Sequence, residues 1–150
     1  MKLAIVGGCG SSGTTLLAHL LSRHSQVVSG PEMNFFNHKE VLNLADLLEY
    51  KSALFRRRRL VNGYKDMTAF LNEGKALGVD EERFNEWLIS SHNIRDVYES
   101  FADHMCADTR SKLFVEKTPT NVYNFAALAK LFPDLPLIHQ IRDGRDVVAS

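Results

Sequence analysis

The chain has 150 residues, of which 45% are hydrophobic and 24% charged, a composition typical of one globular domain with its own core. Its 18 basic and 18 acidic residues cancel, which removes the global field by which basic proteins recruit nucleic acid or anionic membranes. Because no stretch approaches the roughly 20 apolar residues of a membrane-spanning helix, and the two cysteines lack metal or redox spacing, we expect a cytoplasmic protein without a metal centre.

The first predicted elements are a strand, a helix and a second strand. Residues 3–6 are apolar and predict a first strand over 2–6, and helical spacing predicts a helix from about Thr14 to His24. We expect the leucines of this helix to lie on its buried side, namely Leu16, Leu17, Leu20 and Leu21. A short second strand is predicted over Gln26–Ser29, where a Gly-Pro pair ends it.

The middle of the chain has helical periodicity throughout. Residues 39–50 have the apolar spacing of an amphipathic helix, and 51–110 continue the pattern, with Asp80 as a predicted N-cap. We interpret residues of about 38–110 as a helical insertion between strands of a sheet. The run Arg56–Arg59 within it is either a solvated helix face or a patch that attracts an acidic substrate or phosphate groups.

Strands and helices alternate in the last part of the chain. Residues 113–117 predict a strand, a helix follows from about 120 to 132, and the last strand covers 136–141. Such alternation favours a parallel sheet between helices, with ligands bound beyond the carboxyl ends of the strands. Because the sequence stops at Ser150 inside a predicted helix, we expect it to be the N-terminal portion of a longer protein.

The loop between the first strand and the first helix predicts a phosphate-binding site. The segment IVGGCGSSGTTLL keeps the glycine frame Gly8 to Gly13 of a nucleotide loop, but Thr14 stands where a triphosphate-binding loop has lysine. The backbone N–H groups and the hydroxyls of Thr14 and Thr15 can still hold an anion at the helix N-terminus. This combination indicates a nucleotide whose 5′ end carries something other than a triphosphate.

A second motif lies at the end of the chain. The segment LIHQIRDGRDVVAS is a strand that ends near Arg142, turns at Asp143-Gly144 and enters a helix. Arg142 and Ser150 flank this helix and could bracket a second phosphate. Both motifs follow strands, so they can face the same crevice.

Together, SSGTTLL and RDGRDVVAS resemble the two cofactor motifs of sulfotransferases that use 3′-phosphoadenosine 5′-phosphosulfate (PAPS). The resemblance is nearest to the tyrosylprotein and bacterial sulfotransferase branch. It implies an α/β, P-loop NTPase-like three-layer fold with a central parallel sheet and a helical insertion. It also implies that the 3′-phosphate is held by Arg142 and Ser150, and the 5′-phosphosulfate by the loop residues Gly10, Ser11, Ser12, Gly13, Thr14 and Thr15.

Three residues are candidates for catalysis by this resemblance. Ser11 occupies a position where the family usually has lysine or arginine, and Lys117 in EKTP is the best substitute for that cation. Glu32 resembles the family's catalytic base, with His38 as an alternative. The simpler alternatives are a surface lysine before a turn for Lys117 and a carboxylate at a helix start for Glu32.

Two other classes of function remain open at this point. One is a P-loop small-molecule or nucleotide kinase, and the other is a non-catalytic nucleotide-binding module, which Ser11 favours. For a sulfotransferase we expect a hydroxyl-bearing or amine acceptor such as a sugar, a peptide tyrosine, a lipid or a phenol. No nucleic-acid partner is expected from the charge balance.

Overall fold

The computed structural model of the protein describes residues 2–34, 36, 77–107 and 109–150. The predicted helix 39–50, the arginine run Arg56–Arg59 and His38 lie outside the described residues. Within them the elements follow in the order β1 (Leu3–Gly8), α1 (Thr14–Leu21), β2 (Val27–Ser29), α2 (Glu81–Ser90), α3 (Ile94–Ala107), β3 (Leu113–Lys117), a 3₁₀ helix (Pro119–Asn124), α4 (Phe125–Leu131), β4 (Leu137–Gln140) and α5 (Gly144–Val148).

The four described strands form one parallel sheet in the order β2-β3-β1-β4. β1 lies between β3 and β4, with Val6 beside Lys117 on one side and Gly8 beside Gln140 on the other. Since parallel strands end at the same edge, the segments that follow β1, β3 and β4 are neighbours in space. The predicted α/β fold with a central parallel sheet is confirmed.

Helices cover both faces of this sheet. Along β1 the side chains alternate, so that Leu3 and Ile5 belong to one apolar cluster and Ala4 and Val6 to another. The first cluster contains residues of α2, α3 and α4, whereas α1 packs against the second through its leucines Leu17 and Leu21. Because both faces are covered, β1 is buried along its whole length, as parallel strands usually are.

The buried side of α1 differs from the prediction. Leu16 and Leu20 are 64% and 61% exposed, and Ala18 is buried in their place. Residues three and four apart share one face of a helix, so Leu17 and Leu21 turn toward the sheet while Leu16 and Leu20 are rotated away from it. The expectation that all four leucines lie on the buried side was wrong for these two.

Several element boundaries also differ. β1 extends two residues beyond the predicted end, because Gly7 and Gly8 pair with β4. α1 ends at Leu21, and the predicted helix of about 120–132 divides into the 3₁₀ helix and α4. Gly7 permits the close packing of β1 under the 3₁₀ helix, since an added Cβ would lie 2.6 Å from the backbone nitrogen of Val122.

The described part of the central segment is helical, as predicted. Asp80 caps α2, with its Oδ1 accepting a hydrogen bond of 2.8 Å from the backbone N–H of Arg83. Two acidic residues in the first turn add a favourable interaction with the helix dipole. Among the helices of the described residues, none is long and apolar enough to cross a membrane.

Candidate active site

The loop of residues 9–13 joins β1 to α1 in a tight turn. The backbone N–H of Ser12 donates to the carbonyl oxygen of Cys9 at 3.1 Å, and that of Leu17 donates to the carbonyl of Gly13 at 3.0 Å. Gly13 has φ of 95°, in the left-handed region that a glycine enters without steric cost. The turn therefore places the first N–H groups of α1 at the end of β1, where they can receive an anion.

Two features of this loop fit phosphate oxygens. The hydroxyl of Ser12 is buried, and no hydrogen-bond partner for it lies within the described part of the chain. Gly10 has open space where a side chain would begin, which leaves its backbone accessible to a ligand. An unpartnered buried hydroxyl costs free energy that a hydrogen-bonded ligand would recover. This donor set fits the oxygens of a phosphate group.

Ser11 presents its backbone, not a cation, to the site. Its side chain is exposed and its φ is 60°, which is uncommon for a residue other than glycine. The carbonyl oxygen of Ser11 accepts a hydrogen bond of 3.0 Å from Nη1 of Arg142. Arg142 also lies 4.0 Å from the carboxylate of Asp146. The structure thus brings the arginine of the second motif onto the loop of the first.

Lys117 joins two other candidate residues. Its ammonium Nζ donates to Oγ1 of Thr15 at 3.2 Å and to Oε1 of Glu32 at 2.5 Å. The lysine side chain is only 8% exposed, whereas that of Glu32 is 44% exposed. The lysine is the last residue of β3, so the strand end delivers a cation to the first turn of α1. Lys117 is therefore not a surface lysine before a turn.

The two threonines of the loop have different environments. Thr14 is buried at the start of α1, and Thr15 is exposed and in contact with Lys117. Glu32 does not begin a helix in the described structure, since residues 31–34 form an irregular segment after β2. Its carboxylate is held by Lys117 instead of by helix N–H groups.

The second motif has a short helix between its two candidate residues. Asp143 is the N-cap of α5, and its carboxylate also binds Arg145, whose guanidinium holds the pKa of Asp143 below its ordinary value. Ser150 lies beyond the end of α5, where its hydroxyl donates to the carbonyl oxygen of Val147 at 3.0 Å. Arg142 is thus near the loop of residues 9–13, while Ser150 is bonded to the last turn of α5.

Sequence reasoning missed a buried polar cluster at the end of β3. Glu116, Thr118 and Asn121 are each at most 3% exposed, and both polar side chains donate to the carboxylate of Glu116. Burial raises the pKa of Glu116 to about 7, although these hydrogen bonds and Lys117 oppose the shift. The sequence contains one indication of this cluster, because Glu116 directly follows the apolar residues LFV of a predicted buried strand.

Comparison with known proteins agrees with this geometry. A sequence model described as the sulfotransferase family matches residues 4–150. The match includes the loop of residues 9–13, the strand that ends at Lys117 and the segment around Arg142. No curated protein sequence matches the chain. Within the described residues, no group of histidine, cysteine and acidic side chains is arranged to hold a metal ion.

Proposed function

The chain belongs to the sulfotransferase family, and we propose that it transfers a sulfonate from PAPS to a hydroxyl or amine of an acceptor. The observation that carries this proposal is the position of Lys117, whose ammonium contacts both Thr15 of the phosphate loop and Glu32. A cation, an anion-binding loop and a carboxylate then meet at one end of the sheet. These are the parts that a sulfonate transfer to a hydroxyl requires.

The donor sets of the two motifs support PAPS as the cofactor. In our proposal the backbone N–H groups of Gly10–Thr15 and the hydroxyls of Thr14 and Thr15 hold the 5′-phosphate. Arg142 and Ser150 hold the 3′-phosphate. To do so, Arg142 gives up its hydrogen bond to the carbonyl oxygen of Ser11 and binds the charged phosphate instead. When bound, PAPS would supply the sulfonate through cleavage of its bond to the 5′-phosphate.

Lys117 is the proposed source of positive charge at the reacting group. Charge develops on the equatorial and leaving oxygens during such a transfer, by analogy with phosphoryl transfer. A lysine that is mostly buried acts in a region of lower dielectric, where its charge has a stronger effect than in water. We propose that Lys117 compensates in this way for the absence of a cation at Ser11.

Glu32 is the proposed base that accepts the acceptor proton. Its carboxylate is nearly half exposed, so an acceptor can approach it, and Lys117 binds one of its two oxygens. A hydroxyl placed at the other oxygen could donate its proton there while Lys117 turns toward the transferring group. The acceptor is a sugar, a peptide tyrosine, a lipid or a phenol, all of which offer such a hydroxyl.

One alternative function has a specific observation in its favour. A non-catalytic nucleotide-binding module would explain why Ser11 carries no charge and why its carbonyl is occupied by Arg142. A kinase has less support, because Thr14 replaces the lysine that reaches the terminal phosphates of ATP.

Two measurements on the full-length protein test the proposal. Calorimetric titration with 3′-phosphoadenosine 5′-phosphate should show binding that exceeds that of ATP with Mg²⁺, and the reverse order would support a kinase. Incubation with PAPS carrying radiolabelled sulfur should label at least one of a panel of phenol, sugar and tyrosine-peptide acceptors. Tight binding without transfer to any acceptor would support the non-catalytic module.

A further inference from the structure

Glu116 is a buried carboxylate in largely apolar surroundings. It is 3% exposed and lines a small cavity whose other walls are largely apolar, including Leu3, Phe84, Phe101 and Phe114. Placing a carboxylate in such a setting is costly unless it is well hydrogen-bonded, and an apolar residue of similar size would satisfy packing alone. Neither the proposed base nor the proposed phosphate ligands include it.

The hydrogen bonds to Glu116 come from two chain segments. The hydroxyl of Thr118 donates to Oε1 at 2.5 Å, and the amide of Asn121 donates to Oε2. The third donor is the backbone N–H of Met33. Thr118 in turn accepts a hydrogen bond of 3.1 Å from the backbone N–H of Asn34. The carboxylate thus binds residues 33–34 both directly and through the threonine hydroxyl.

The same short segment carries Glu32, which binds the neighbouring residue of β3. Side chains at adjacent strand positions point to opposite faces, so Glu116 and Lys117 offer their charges on different sides of the strand end. Glu32 pairs with Lys117, and the next two residues are held by Glu116 and Thr118. Residues 32–34 are therefore hydrogen-bonded to side chains on both faces of the end of β3.

We propose that Glu116 is a positioning residue whose ionised carboxylate holds residues 32–34 against the end of β3 and thereby places Glu32 at Lys117. The consequence of this positioning for catalysis rests on the proposed function, in which Glu32 is the base. The positioning itself does not depend on any bound nucleotide or acceptor.

This arrangement should respond to pH near neutrality. Burial among apolar side chains raises the pKa of Glu116 to about 7. Among the described residues, the ionisable groups that act on it are Lys117, adjacent on β3, and the hydroxyl of Tyr98 on α3. A protonated carboxyl has lost its negative charge, so the hydrogen bonds that it accepts from these donors are no longer charge-assisted and become weaker. Residues 32–34 should then be held less firmly, even though protonation removes a buried charge and so favours the folded state as a whole.

Amide hydrogen exchange followed by nuclear magnetic resonance tests this directly. The protection factors of the Met33 and Asn34 amides, each corrected for the intrinsic exchange rate, are measured from pH 6 to 8. In the wild-type protein we expect the protection factor of Met33 to rise about tenfold through pH 7, the difference between a neutral and a charge-assisted hydrogen bond. That of Asn34, whose acceptor is the hydroxyl of Thr118, should rise by less. In Glu116→Gln they should stay low and independent of pH.

A control separates this role from packing. Val97 is buried in the wall of the same cavity, and Val97→Ala perturbs it without removing the carboxylate. This variant should keep the rise through pH 7. If Glu116→Gln does not fold, Glu116→Asp takes its place, because it keeps the charge but shortens the reach of the carboxylate. Both amides should then be less protected than in the wild type, and unchanged protection of both would overturn the proposal.

The position of Glu32 is followed through the ¹⁵N resonance of the Lys117 ammonium. In Glu116→Gln this resonance should shift toward its value in Glu32→Gln, since both variants loosen the ion pair. An unchanged resonance would overturn the proposal. If the amides and the lysine respond as expected but the wild-type protein transfers no sulfonate, the proposed function fails and the positioning role of Glu116 stands.

Discussion

Arg142 donates a hydrogen bond from Nη1 to the carbonyl oxygen of Ser11 at 3.0 Å, across 131 positions of sequence. The contact joins the loop after β1 to the segment after β4, two neighbouring strands of the sheet. The side chain of Arg142 is 41% exposed, so it remains accessible to a ligand. Arg142 can therefore bind a phosphate group or stabilise the loop, and the two roles have different consequences for binding.

The first prediction concerns the 3′-phosphate of the nucleotide. Arg142→Ala should weaken binding of 3′-phosphoadenosine 5′-phosphate by about 1.5–3 kcal/mol, the usual effect of losing a hydrogen bond to a charged group. Binding of adenosine 5′-phosphate, which lacks the 3′-phosphate, should change little. Both affinities are measured by titration calorimetry.

Arg145→Ala is the matched control for this experiment. Arg145 lies three positions away and binds the carboxylate of Asp143 at 2.7 Å, so its loss should leave both affinities within a few-fold of the wild type. Equal losses for both nucleotides in Arg142→Ala would show that the arginine acts on the loop through Ser11.

The second prediction concerns Lys117. Lys117→Ala should lower kcat at every pH, because the charge on the transferring group is then unneutralised, while affinity for 3′-phosphoadenosine 5′-phosphate stays within a few-fold. Steady-state kinetics with a phenol acceptor provide the measurement. Lys130→Ala, which removes an exposed lysine of α4, is the control. A kcat equal to the wild type would exclude Lys117 from the reaction.

The third prediction concerns Glu32 as the base. Glu32→Gln should remove the acidic limb of the pH–rate profile, with little effect on cofactor binding, because the amide cannot accept the acceptor proton. The loss should be smaller for an acidic phenol that is already ionised than for a neutral alcohol. If both acceptors lose activity equally, Glu32 is not the base, and His38 becomes the next candidate.

The fourth prediction concerns the missing cation at Ser11. Ser11→Lys should raise turnover while leaving nucleotide affinity within a few-fold, since an added charge there acts mainly on the leaving oxygens. Serine and lysine both carry a Cβ, so the backbone strain at φ of 60° is unchanged by the substitution. A fall in turnover would indicate that Lys117 already fills this position.

The fifth prediction concerns stability as a function of pH. The folded-state pKa of Glu116 is raised from 4.5 to about 7, so the folded protein holds this proton more tightly than the unfolded chain. The contribution of Glu116 to stability is therefore fully present below pH 4.5 and is lost as the pH rises to about 7. With about 1.4 kcal/mol per pKa unit, the loss is about 3 kcal/mol.

Urea unfolding of the wild type and of Glu116→Gln between pH 4 and 8 checks this prediction. The free energy of unfolding of the wild type should fall relative to that of the variant over this range, since only the wild type has the titrating group. Parallel curves for the two proteins would mean that Glu116 titrates near its ordinary pKa.

The sequence predicted the elements well where the pattern is local. The Gly/Ser loop, the Asp80 N-cap and the strand 113–117 each depend on a few neighbouring residues, and the structure has them where they were expected. The buried side of α1 was predicted less well, because four leucines in two adjacent pairs cannot all face one sheet. Which leucine of each adjacent pair faces the sheet depends on how the helix is rotated against β1.

The sequence by itself determined the order of strands and helices along the chain, and also the glycine-rich loop after β1. Both can be recognised from patterns that span only a few neighbouring residues, namely hydrophobic periodicity and the positions of glycines. Only the tertiary structure decided which charges meet. Glu32 and Lys117 are 85 positions apart, and they pair because β2 and β3 are neighbours in the parallel sheet. The buried environment of Glu116 arises in the same way, since helices distant in sequence close over that face of the sheet and remove the water that would otherwise keep its pKa low.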